Sequence, residues 1–341
     1  MKRQNPAIST STAALFVLSL EILLGSLVGC NPGGAPTPAT TSEVGSSGET
    51  TSANPNSKKF AVSYQTIDNP FFTDLTTGLR SVIESRGDAL QVYDASFDAR
   101  NQAQQLSDLI QGQFDGIFLN PVNWKGVGRS LHKAREAKVP VIVVDAPVQD
   151  RSLVVATVAS DNYAAGRLAG EALVKTRPSG AKIAMLTYSV NKACRDRVTG
   201  FKAALENKPA FSVEVEQELR SGTREAAYPL TRDILLRSPD LTAIFAINDP
   251  AALGALRALD QSGKIDQVTL LAVDGNSKAL AEITKGRMLG TSAQFPEEIG
   301  SAAAKAMYEH IDGKKVEPDL KIRVQFIDRS NASSVAAGKT N

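Results

Sequence analysis

Residues 243–263 read AIFAINDPAALGALRALDQSG, one complete strand-and-helix unit. The run Ala243–Ile247 is apolar throughout and too short for an ordinary helix. That pattern belongs to a strand buried on both faces of a parallel sheet. Asp249-Pro250 then supplies a helix N-cap and first-turn proline, and the helix runs to about Gly263. Between the two stands Asn248, a carboxamide at the carboxyl end of a buried strand.

The same unit recurs along the chain. Strands are expected at Phe60–Tyr64, Leu90–Tyr93, Gly116–Leu119, Val141–Val144, Val154–Val158, Lys182–Leu186, Phe211–Val215, Ala243–Ile247, Thr269–Val273, Leu289–Ala293 and Ile322–Ile327, with helices between them. The first helix follows Asn69-Pro70, places Leu75, Leu79, Val82 and Ile83 on one face, and stops at Gly87. Alternation of strand and helix gives an α/β, doubly wound fold. The strands are too many for one ordinary sheet, and 341 residues suit two lobes with additions.

In open parallel sheets ligands bind beyond the carboxyl ends of the strands. The residues at those exits are Asn69 with Phe71 and Phe72, then Asn120, Asp145, Asn248, Asp274 and Gln294, while Arg195 opens the helix after Lys182–Leu186. Carboxamides donate and accept, carboxylates accept, and a guanidinium donates, which matches the hydroxyls of a polyhydroxylated ligand. Aromatic rings can pack on its C–H faces. Each residue also has a plain structural reading. Asn69 and Asp249 are helix caps, Asn120 precedes Pro121 in a turn, Asp145 and Asp274 bond loop amides, and Phe71 and Phe72 are core.

The 38 basic and 36 acidic residues leave a formal net charge of +2. Neither a nucleic-acid surface nor a polybasic membrane patch is expected from that balance. With two cysteines and two histidines, neither a disulfide framework nor a zinc site is expected, and no phosphate-binding glycine loop is present. His132 lies among basic residues and His310 near a helix end. Neither has a nearby nucleophile, so no catalytic triad and no enzyme activity are expected. Cys194 reads as an inert thiol at the cleft edge despite its neighbour Arg195.

Residues 1–30 read as an export signal: Lys2 and Arg3, then an apolar run from Ala13 to Val28 interrupted by Glu21. The run is shorter than the ~20 residues of a spanning helix. Leu27-Val28-Gly29-Cys30 resembles the lipobox of bacterial lipoproteins, which implies cleavage before Cys30 and lipidation of its thiol. Residues 31–57, rich in Pro, Gly, Ser and Thr, read as a disordered tether spanning on the order of 30 Å.

Several motifs coincide with the strand exits: Asp68-Asn69-Pro70-Phe71-Phe72, Asn120-Pro121, Asp161-Asn162, Arg195-Asp196-Arg197 with Gly200-Phe201, Ile247-Asn248-Asp249, Val273-Asp274-Gly275 and Ala293-Gln294-Phe295-Pro296. From about Lys58 to Gln325 the chain resembles the periplasmic ribose-binding protein group, which has the type I periplasmic binding protein fold. The resemblance implies two lobes joined by a three-strand hinge with crossings near Ser160, Gln294 and Leu320. It implies an N-terminal lobe of 58–160 plus 295–319, a C-terminal lobe of 161–294 plus 320–330, and a tail at 331–341. It also implies stacking by the first aromatics and hydrogen bonding to a monosaccharide or polyol by Asn69, Asn120, Asp145, Arg195, Asn248, Asp274 and Gln294. No cofactor is implied. The expected partner is an ABC permease, with docking on a chemoreceptor or kinase as the alternative, and the protein is expected to be an extracytoplasmic monomer. Two positions depart from the pattern. Ala146 replaces an Arg, which puts ribose itself in doubt, and no aromatic stands at Gly222 or Thr223. Trp124, four residues after Asn120, is a replacement stacking face or else a packing residue on the lobe surface.

Overall fold

The computed structural model describes residues 57–336. The expected leader with Cys30, the tether up to residue 56 and residues 337–341 of the tail lie outside the described residues. Strands β1 (Lys59–Tyr64), β2 (Ala89–Asp94), β3 (Gly116–Leu119), β4 (Val141–Val144) and β5 (Ala156–Ser160) build the first lobe. Strands β6 (Ala181–Thr187), β7 (Phe211–Glu218), β8 (Ala243–Ala246), β9 (Thr269–Asp274) and β10 (Gly290–Ala293) build the second, and β11 (Asp319–Ile322) and β12 (Gln325–Asp328) follow. The two sheets have the same order, β2-β1-β3-β4-β5-β11 and β7-β6-β8-β9-β10-β12. All neighbours run parallel except β12, which is antiparallel to β10. The fold is therefore two doubly wound parallel-sheet lobes of the type I periplasmic binding protein kind.

Helices cover both faces of each sheet. They are α1 (Pro70–Ile83), α2 (Ala99–Gln111), α3 (Gly128–Glu136), α4 (Asn162–Thr176), α5 (Lys192–Leu205), α6 (Arg224–Arg237), α7 (Asp249–Gln261), α8 (Ser277–Thr284), α9 (Pro296–Ile311) and the short α10 (Ala332–Ala336). Strand alternation divides each core. Phe60, Val62 and Tyr64 of β1 join Phe118, Ile142 and Val158 under α1 and α9, while Ala61 turns to the opposite face with Ile117, Leu119 and Val143. In the second lobe Ile183, Met185 and Phe245 pack under α4 and α5, and Ala184, Leu186 and Ile244 under α6 and α7. Apolar side chains on both faces are why these strands read as continuous hydrophobic runs.

The chain passes between lobes at Asp161, between β5 and α4, and at Gln294-Phe295, between β10 and α9, since α4 packs on β9 and β10 and α9 packs on β4, β5 and α1. The third passage differs from expectation. The run Ile322–Ile327 is not one strand: β11 pairs with β5 in the first sheet and β12 with β10 in the second. The crossing is Arg323-Val324, beyond Leu320, which lies inside the first sheet opposite Val158.

Candidate binding cleft between the lobes

The carboxyl ends of both sheets face a cavity of about 480 Å³, lined from the first lobe by Gln65, Asn69, Phe71, Phe72, Phe97 and Asp145, and from the second by Tyr188, Cys194, Arg197, Asn248, Asp274 and Gln294, among others. That volume is in the range of small-molecule sites.

Asn69 does two things. Its Oδ1 caps α1 by accepting from the Phe71 amide at 3.1 Å, and its Nδ2 reaches across the cleft to Asp274 Oδ2 at 3.0 Å. The residue is thus at once a helix cap and part of the cavity wall. Phe71 and Phe72 likewise line the cavity while packed in the core, with Phe72 against Tyr64 at 5.0 Å between ring centroids. Asn120 does not line the cavity. It is fully buried behind it, donates to Asp145 Oδ2 at 2.9 Å, and accepts from the Gln65 amide at 3.2 Å.

Asp145 occupies the centre of a tight turn, with φ 65° and the Ala146 amide bonded to Val144 O at 2.8 Å. A non-glycine residue in this conformation is strained, and such strain collects at functional sites. Burial raises its carboxyl pKa to about 6, against the pull of Arg197 and with help from Asp274. Asp274, at φ 142°, also sits above the usual carboxylate range because of burial; Arg197 and the hydrogen bonds from Asn69 and Gln294 act in the other direction.

The buried cation of the cleft is Arg197, not Arg195. Residues two apart on a helix point to different sides. Arg197 is buried, with Nε donating to Asn162 Oδ1 at 2.7 Å, Nη1 to Ile247 O at 2.8 Å, and Nη1 lying 3.5 Å from Asp274 Oδ1. Arg195 is exposed and lies outside the cavity. Trp124 is outside it as well, half-buried at the lobe surface. The aromatics that do line it, besides Phe71 and Phe72, are Phe97 and Tyr188, which meet edge to face at 6.2 Å. The second lobe thus provides an aromatic through Tyr188, at the exit of β6 rather than near Gly222. Strand-exit logic could have found Tyr188; Phe97 lay in a loop with no periodic signal.

Asp249 does not cap α7. Asn248 does, through Oδ1 accepting from the Ala251 amide at 2.9 Å, while its Nδ2 donates to Gly222 O at 2.9 Å. Asp249 is buried and accepts from the Gly275 and Asn276 amides, each at 2.8 Å, and from Thr291 Oγ1 at 2.7 Å. It shapes the loop that carries Asp274. Cys194 is buried, and burial pushes its thiol up to about 12, so the thiolate is not available at neutral pH. Among the described residues there is no group of three or more His, Cys, Asp or Glu placed to hold a metal ion.

Among the buried polar atoms of the described residues that lack a partner, two belong to residues lining the cavity. Gln65 Oε1 and Gln294 Oε1 are buried, accept nothing from the protein, and belong to residues that line the cavity, one from each lobe. Buried acceptors are normally satisfied, so these call for donors from outside the chain.

Residues 60–315 match the periplasmic binding protein domain. The chain belongs to that family. Among curated relatives, the ribose import binding protein of Bacillus subtilis is 32% identical over 274 residues, spanning 78% of this chain and 86% of that one. The ribose import binding protein of Escherichia coli is 31% identical over 280 residues, spanning 82% and 93%. Among solved structures, an ABC transporter solute-binding protein from Mycobacterium smegmatis with bound glycerol is 31% identical, with a TM-score of 0.76 over 82% of this chain and 96% of that one. These relatives are substrate-binding components of import systems rather than enzymes. The acceptor-rich cleft of this periplasmic binding protein has the chemistry of a capture site: it can bind and orient a hydroxylated molecule, and it offers no activated nucleophile.

Proposed function

We propose that this protein captures a monosaccharide or closely related polyol between its lobes and delivers it to the permease of an ABC importer, while lipidated Cys30 holds it to the membrane outside the cytoplasm. The observation that carries the ligand class is the pair of unpartnered acceptors, Gln65 Oε1 and Gln294 Oε1, set beside the carboxylates of Asp145 and Asp274. Such a cavity needs several O–H donors in a small volume. Arg197 adds donors for a ring oxygen, and the Phe71, Phe72, Phe97 and Tyr188 rings supply apolar faces. Relatives named for ribose import support the sugar class. Ala146 stands where the ribose-binding pattern has an Arg, and the loss of that donor favours a sugar other than ribose. The importer role rests on what the relatives are named for, and the anchor on the motif at Cys30.

A thermal-shift screen of aldopentoses, aldohexoses and cyclic polyols tests the ligand class. Ligand at 100 times its Kd stabilises by about 2.7 kcal/mol, a rise of roughly 5–10 °C for a protein of this size. A flat response across the panel would reject the reading.

A further inference from the structure

Trp124 and Arg195, both outside the cavity, meet each other across the lobes. The Trp124 amide of the first lobe donates to Val190 O of the second at 3.3 Å. The Arg195 guanidinium stands over the Trp124 ring, 5.9 Å from its centroid, within cation–π range. Trp124 is also secured within its own lobe, because its carbonyl accepts from the Gln149 amide at 2.9 Å.

The position of this contact follows from strand order. The interlobe crossings lie beside β5, β10, β11 and β12, at one edge of each sheet. Val190 follows β6, next to the last strand at the opposite edge of its sheet, and Trp124 follows β3. Phe97 grips the same β6–α5 loop from the β2 side through Tyr188. Two loops of the first lobe therefore clasp one loop of the second, away from the hinge. Phe97 reaches Tyr188 from a segment in which Ser96 and Phe97 have φ of 50° and 60°, held by Asp94 accepting from the Ser96 amide at 2.7 Å.

We infer that Trp124 and Arg195 are positioning residues that latch the lobes shut and thereby set affinity without touching the ligand. The inference rests on the two-lobed capture reading above. A contact made only in the closed form raises the closed population, and apparent affinity scales with that population for every ligand alike. A side chain that touches the ligand would instead change selectivity.

Trp124→Ala and Arg195→Ala test this, the second being a change at an exposed position that leaves the cores intact. Small-angle scattering of the sugar-free proteins should show a larger radius of gyration in both variants than in the wild type. Calorimetry with D-ribose, D-allose and myo-inositol as probes should show affinity lowered about 3–10-fold, by one common factor for each probe the wild type binds. An unchanged radius overturns the latch whatever the probes do, and so do unequal losses among them. If no probe binds the wild type, the capture reading is what suffers, while scattering still decides the latch.

Discussion

Asp145 combines an uncommon backbone conformation, burial and a titrating carboxyl with a pKa of about 6. Because the folded value lies above the ordinary 3.8, the folded protein holds more protons here than the unfolded chain across that interval. Its contribution to stability therefore falls as pH rises from about 4 to about 6 and is level outside that window. Ligand binding has the opposite dependence, since a hydroxyl donates better to the ionised group. Affinity should fall about tenfold from pH 7.5 to pH 5.0, and Asp145→Asn should flatten that profile in calorimetry. Asp274→Ala removes the acceptor shared by Asn69 and Gln294 and the partner of Arg197, so sugar affinity should drop about 10–100-fold. Unchanged affinity would take Asp274 out of the site. At this scale the residue types of the site were readable in the sequence, because polar side chains at strand exits stand out against apolar runs. The choice between Arg195 and Arg197 was not. It depends on which side of α5 faces the cleft, and both are Arg in a motif with one residue between them.

The helices that carry these residues pack unusually closely. A Cβ on Gly166 of α4 would lie 1.9 Å from Arg197 O of α5, and one on Gly200 would lie 2.0 Å from Tyr163 O. The equivalent contact in the first lobe joins α1 and α9, where a Cβ on Gly78 would meet Glu297 O at 2.1 Å. In an exposed helix Gly→Ala is stabilising by about 1 kcal/mol. Here the sign should reverse. Gly166→Ala must push α5 away, at a cost of about 1–3 kcal/mol, and Arg197 moves with it. The expected result is a lower melting temperature together with weaker sugar binding; a raised melting temperature would refute the close contact. Alternating strands and helices were legible in the sequence because buried strands are short, apolar and flanked by caps. The division of Ile322–Ile327 was not, because neither Gly nor Pro marks Arg323-Val324 and its apolar residues run on through both strands. Only pairing partners in different sheets separate β11 from β12.

At the scale of the whole molecule, two sheets of one strand order are joined by three crossings, and every residue that lines the cavity falls within residues 65–294. The candidate cleft and the proposed anchor at Cys30 therefore belong to separate parts of the chain. Among the described residues no helix is long and apolar enough to cross a membrane, and the net charge of +2 gives no strong electrostatic hold on a lipid surface. In the proposed reading attachment is by covalent lipid at Cys30, whose acyl chains would each add about 0.8 kcal/mol per buried methylene. Cys30→Ser should move the protein from the membrane fraction to the soluble extracytoplasmic fraction while leaving the sugar dissociation constant of the purified protein unchanged. Fractionation followed by calorimetry separates the two effects. Continued membrane retention would refute the anchor, and an altered dissociation constant would refute the independence of anchor and cleft.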